Sequence, residues 1–386
     1  MGSVLTAFRS GSHRPEHTYL GPSREGVNVY PDGEKTDRLD TYLAAEDLDA
    51  VWFARPANFA WLTGGDNVVD REAEVGVAAA GYAGDEVRVV TDTIEAQRLA
   101  EEELPDGTPI ESFPWYESTL PDAVAERSST PAAADFDVPG LDTLDPVWLR
   151  VPLTDVDVER YRALGADTAA AVEAVGREVE AGTTEREAAA RLREALFERG
   201  VDSPVALVAS AERAQAYRHF PPKDVELGAY GILTVTGVRD GLHASVTRTV
   251  AFDPPEWLAD RHEAAMSVEA AVIAATNRLA GGGTAADLFE VIQDAYADAG
   301  YPGEWEEHHQ GGLTGFAGRE WKATPTAGEP VEVPAGYAWN PTVQGAKSED
   351  TVLVDDGVEV LTATGEWPTR EFEVGGERIV RHALGP

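Results

Sequence analysis

Eight histidines and no cysteine set the acid/base and nucleophilic chemistry open to this chain. Without cysteine there is no thiolate nucleophile, no disulfide and no Cys-ligated zinc. Histidine titrates near neutrality and suits proton transfer at working pH. His219 stands in Tyr217-Arg218-His219-Phe220-Pro221-Pro222, and His308-His309 lead into a glycine-rich turn. A histidine at a strand end is also often a satisfied structural one, so both readings stay open for His219, and His308 is expected to be an exposed neighbour of His309. Arg248 suits a bidentate grip on a substrate carboxylate and equally an ion pair beneath a sheet. Arg319-Glu320 reads as a rim contact or a salt bridge. Gly311, Gly312, Gly315 and Gly318 are too irregular for a phosphate loop, since neither G-x-x-x-x-G-K-[ST] nor a strand-linked G-x-G-x-x-G occurs. Ser210 and Ser245 lack the flanking glycines of a nucleophile elbow.

Two folded bodies are needed to position these side chains. A chain of 386 residues exceeds what one core usually serves, and its 43% hydrophobic content supports a folded protein. Residues 1–37 read as an irregular extension rich in Gly, Ser, Pro and charge. From 38 to about 150 short apolar strands alternate with helices, the pattern of an α/β layer domain. Strands are expected at Val51–Ala54, Val75–Ala80 and Val87–Thr91, and a helix capped by Thr93 through Leu104.

From 151 to 386 one unit occurs twice. A helix from Thr154-Asp155 places Tyr161, Leu164, Val172, Val175 and Val179 on one face and stops at Gly182. Thr184 to Glu187 forms a capping box for a helix carrying Leu192, Leu196 and Phe197. The same grammar returns from Glu256 to Leu279, after which Thr284 caps a helix with Leu288, Ile292 and Tyr296. Each helix pair precedes a strand-rich segment, so the two halves are expected to face each other across a cleft.

Four local motifs, taken in order, resemble one family. Asn58-Phe-Ala-Trp-Leu-Thr-Gly64 resembles an N-x-x-Y-L-T-G signature, and Gly241-Leu-His-Ala-Ser-Val-Thr-Arg-Thr249 a G-Y-x-x-D-x-T-R-T strand. His309-Gln-Gly-Gly312 is similar to an H-x-x-G turn, and Lys347-Ser-Glu-Asp-Thr-Val-Leu-Val354 to an R-x-E-D-T-x-x-V strand. Together they resemble the creatinases, prolidases and Xaa-Pro aminopeptidases. The resemblance implies an amino-terminal α/β domain followed by a pita-bread domain with internal pseudo-twofold symmetry. It also implies five ligands for two divalent ions, and these fall on Thr234, Ser245, His309, Asn340 and Glu349. Only His309 and Glu349 are ligand types the family uses, and the family's second cleft histidine falls on Phe316. Even a single catalytic zinc normally has three protein ligands. No metal and no other cofactor is therefore expected.

The resemblance places His219 where metal-free creatinase has its general acid/base. His309 is expected to be held by Glu349 across the sheet, with Arg248, Arg319, Asn340, Ser245 and Thr234 lining a substrate site. Three functions compete: a metal-independent hydrolase of a small amide, amidine or amino-acid derivative, a non-catalytic relative binding a peptide or small amine, and a working Xaa-Pro peptidase. The retained titratable groups favour the first over the second, and ligand loss weighs against the third. A net charge of −38 argues against nucleic-acid partners. With lysine only at Lys35, Lys223, Lys322 and Lys347, that charge reads as adaptation to high salt. No apolar run is long enough for a membrane helix, and the start lacks a leader's apolar stretch, so a cytoplasmic location is expected. A homodimer is implied by the resemblance.

Overall fold

The computed structural model describes residues 32–386, so most of the stretch read as an irregular extension lies outside the described residues. Its last part is helical. Asp32 accepts from the Glu34 amide and caps a helix over Gly33–Glu46. Pro-Asp-Gly looks like a turn in sequence, and here its aspartate is an N-cap. Lys35, buried on this helix, donates to Asp157 at 2.6 Å and to the Trp61 carbonyl at 2.9 Å, tying the chain's start to its second half.

Six strands form the first sheet, in the spatial order Ile110–Phe113, Val87–Asp92, Ala78–Tyr82, Ala50–Phe53, Ala132–Ala134 and Asp142–Thr143. Ala50–Phe53 is buried at every position because both faces of this inner strand are covered. The second expected strand begins at Ala78 rather than Val75. The helix expected to run from Thr93 is a short α-turn, Ala96–Arg98, continued by a π-turn over Leu99–Glu103.

In the second half, capping boxes open Asp155–Glu178 from Thr154, Glu185–Phe197 from Thr184 and Ala285–Asp298 from Thr284. Each satisfies two amides that a helix start would leave unpaired. Trp257–Leu279 is the remaining long helix. Leu192 and Leu196 are buried, whereas Phe197, expected on their face, is 71% exposed. One residue beyond Leu196 the helix has turned about 100°, which carries Phe197 off the apolar stripe.

Two antiparallel sheets hold the site. One comprises Asp202–Ser210, Tyr230–Arg239 and Leu242–Ala251, and the other Gly311–Thr314, Ala335–Trp339, Asp350–Val354 and Val358–Val360. Asp240 and Gly241, at φ 51° and 78°, make the two-residue turn between the first sheet's long strands, a twist that Asp-Gly accommodates. The sheets meet where the amides of His243 and Thr247 donate to the carbonyls of Gly315 and Glu349, at 2.8 and 2.9 Å. Arg150 joins the first sheet's domain to this body, donating to both Asn58 and Glu320. Among the described residues no helix is long and apolar enough to cross a membrane.

Candidate functional site

Three imidazoles converge beside the junction of the two sheets. His219 follows the helix Ala211–Ala216, and His308-His309 precede the strand Gly311–Thr314. The Nε2 atoms of His219 and His308 lie 3.2 Å apart. The ring of His309 stacks on His308 with centroids 4.3 Å apart and stands 5.9 Å from the ring of His219. Each histidine presents a ring nitrogen within 4.8 Å of the others.

His308 is not the exposed neighbour expected: it is 8% exposed. Gln310 turns the chain inward there, donating to the carbonyls of His308 and Trp305 while accepting from the Tyr296 hydroxyl at 2.9 Å. Nothing local marks this, because Tyr296 belongs to the preceding helix. His219 remains open to solvent. Burial lowers the pKa of all three rings, and the neighbouring cations add to it. His309 falls to about 4, with Arg319, Lys322 and Lys347 reinforcing burial and Glu349 opposing it. His219 and His308 are lowered by burial first and by Lys347 next.

Glu349 does not hold His309. One of its oxygens accepts from the Thr247 hydroxyl at 2.8 Å and from Lys347 at 2.8 Å, and the other accepts from Arg319 at 3.1 Å. A carboxylate buried this deeply is better satisfied by two full charges than by a neutral imidazole. Burial alone would raise its pKa, but Lys347 and Arg319 outweigh burial and hold it below the usual range. Thr234 shares a hydrogen bond with Thr247 at 2.8 Å, and Ser245 accepts from Arg319 at 3.4 Å. Thr234 and Ser245 therefore gather on the Glu349 side of the site. The Asn340 amide donates to the Gln310 carbonyl at 3.1 Å, while its side-chain oxygen is buried without a partner among the described residues. Lys347 and Lys322 were given no role by the motif reading. The scarcity of lysine elsewhere was the signal available.

Arg248 lies outside this group. It is 1% exposed and bonded to Glu173 at 3.1 Å, to Asp350 at 3.0 Å and to the Thr362 carbonyl at 2.7 Å. Of its two open readings, the ion pair beneath the sheet is the one the geometry supports. Cavities of about 240 and 390 Å³ open elsewhere, one beside Leu62 and Pro109 and one beside Arg71 and Phe197, and neither is lined by a histidine.

Residues 159–356 match the model of metallopeptidase family M24. The chain belongs to family M24. Residues 35–145 match the creatinase/prolidase N-terminal domain, and the pita-bread architecture follows from the two together. No curated protein matches this M24 chain in sequence. Among solved structures, the prolidase from Pyrococcus horikoshii OT3 is similar at a TM-score of 0.70 and 18% identity, over 86% of this chain and 98% of that one. The Xaa-Pro dipeptidase from Bacillus anthracis gives 0.69 and 16%, over 86% and 97%. The N-terminal domain of a FACT complex subunit from Cicer arietinum (chickpea) gives 0.63 and 13%, over 86% and 95%. Identities this low establish a shared fold, and function rests on the site.

Proposed function

We propose that this M24 chain is a metal-independent hydrolase of a small amide, amidine or amino-acid derivative, with His219 as general acid/base. The observation that carries this reading is the pairing of Glu349 with Lys347 and Arg319, at 2.8 and 3.1 Å. Hard divalent ions take carboxylate oxygens, and two of them bring a charge of +4. At the positions that resemble the family's ligands, Thr234, Ser245 and Asn340 offer only neutral oxygens, and the one carboxylate is already committed to two cations of the chain. These residues do not fit a dinuclear centre.

In the proposed reaction His219 takes a proton from water as the water oxygen bonds to the carbonyl or amidine carbon. The carbon–nitrogen bond then breaks, and the same imidazole returns the proton to the departing nitrogen. Lys347 and Arg319, fixed by Glu349, are donors for the negative charge that develops on the substrate. His309, Thr234, Ser245 and Asn340 orient substrate or water.

The test is turnover of a panel of small amides, amidines and Xaa-Pro dipeptides by the full chain and by His219→Ala. A loss of about 10²-fold or more supports the reading. The thermal midpoint should hold, since His219 is exposed. Undiminished activity in the variant overturns it. Replacement of ligand types favours a non-catalytic binding relative as the second reading, and calorimetric titration with a short peptide or small amine showing tight binding without turnover would select it. A Xaa-Pro peptidase of the usual kind would instead need added manganese or cobalt for activity.

The same proposal divides the chain near residue 150 and has it work in the cytoplasm, adapted to high salt, as a homodimer. These parts are motivated by the family resemblance and the charge of −38. Light scattering that finds only monomer in molar salt counts against the dimer, and cell fractionation tests the location.

A further inference from the structure

We propose that His219, His308 and His309 form a binding site for one transition-metal ion of the zinc, copper(II) or nickel(II) kind. His309 is the only member of this trio at a position that resembles a family ligand; His219 and His308 lie outside that set. Zinc–imidazole bonds of about 2.0–2.1 Å in a tetrahedron separate neighbouring nitrogens by roughly 3.3–3.4 Å. His219 and His308 already stand at 3.2 Å, Nε2 to Nε2. The third ring nitrogen lies within 4.8 Å of these, a gap that a modest side-chain rotation closes. Three imidazoles and a water complete an open four-coordinate site.

A second observation points to a ligand. The Nδ1 atoms of His308 and His309 are buried with no hydrogen-bond partner among the described residues, which leaves both rings free to turn either nitrogen inward. The close contact of two Nε2 atoms needs a proton between them, and a metal ion can replace that proton. An all-imidazole set suits zinc, copper and nickel, whereas manganese, magnesium and calcium favour oxygen ligands. Among the described residues, Lys347 and Arg319 pair with one carboxylate, Glu349. Their residual charge weakens binding and disfavours further the ions that gain least from nitrogen donors.

Under the reaction proposed above, the ion would take the His219 nitrogen that carries the proton, so a loaded site would be silent. That consequence rests on the proposed reaction; the site itself does not.

Calorimetric titration of the metal-stripped full chain with zinc chloride in molar potassium chloride tests the site, the salt suppressing loose association of zinc with the acidic surface. One zinc per chain is expected, with a Kd at or below about 10 μM, and manganese should bind at least about 100-fold more weakly. Both His308→Ala and His219→Ala should weaken zinc by about 30-fold or more, the second with little risk to folding because His219 is exposed. Cobalt(II) should show the intense visible bands of four-coordination in the parent chain and lose them in both variants. Absence of zinc binding, manganese binding as tightly as zinc, or zinc binding unchanged in His219→Ala overturns the proposal. Zinc that binds as expected yet leaves turnover unaffected keeps the site and removes the acid/base role of His219.

Discussion

Arg248 pairs with both Glu173 and Asp350 in a buried layer, where Arg177 also reaches Glu173 and Arg381 and His382 also meet Asp350. Truncating it to Met would remove the cation that two buried carboxylates share, for which a loss of about 3–5 kcal/mol is expected by urea denaturation. A loss below about 1 kcal/mol would show that Arg381 and His382, the other partners of Asp350, suffice. His262 supplies a pH dependence in the same layer. It is 3% exposed, with Nε2 3.2 Å from the His382 carbonyl. Burial, with Arg248 adding, lowers its pKa to about 4 against the opposing bond to His382. The unfolded chain binds this proton below about pH 6.5, and the folded chain refuses it until about 4. This contribution is fully present above pH 6.5 and is lost as pH falls through that window, by up to about 3 kcal/mol. His262→Gln should flatten the decline, as read from thermal midpoints between pH 7 and 4; an equal slope in both proteins would reassign it.

Gly311 shows how an element's geometry reaches the site. Its φ is 101°, and a Cβ there would stand 2.1 Å from the Ala338 carbonyl oxygen, on the strand it pairs with through Trp339. Gly311→Ala should cost about 2–4 kcal/mol and disturb the strand that positions His309, and a thermal midpoint within a degree or two of the parent would contradict this. Elements of this kind were partly legible. The capping box at Thr184 and the cap at Thr284 could be read because every group involved lies within four residues. The paired halves were legible for the same reason, helix by helix. Contacts that span the chain were not. Glu349 meets Arg319 from a separate turn, and His308 is turned inward by a glutamine held from another helix. Sequence singled out Glu349, His219 and His309 but not His308, and it could not say which cation would reach the carboxylate first.

At the scale of the whole molecule, 69 acidic residues against 31 basic ones make self-repulsion a destabilising term that salt screens. The thermal midpoint should therefore rise markedly between dilute buffer and molar potassium chloride, and an unchanged midpoint would refute salt adaptation. Against this acidic exterior, Lys322, Lys347 and Arg319 gather around the imidazoles, as their shared influence on His309 records. The arrangement governs how a ligand arrives as well as how it is held. A small anion drawn to those cations must first cross a field of opposite preference. Screening shrinks that outer field to a few ångströms while the partly enclosed cations keep more of their pull. Its association rate should thus climb with ionic strength, the reverse of ordinary electrostatic steering, so that brine serves as the condition of entry.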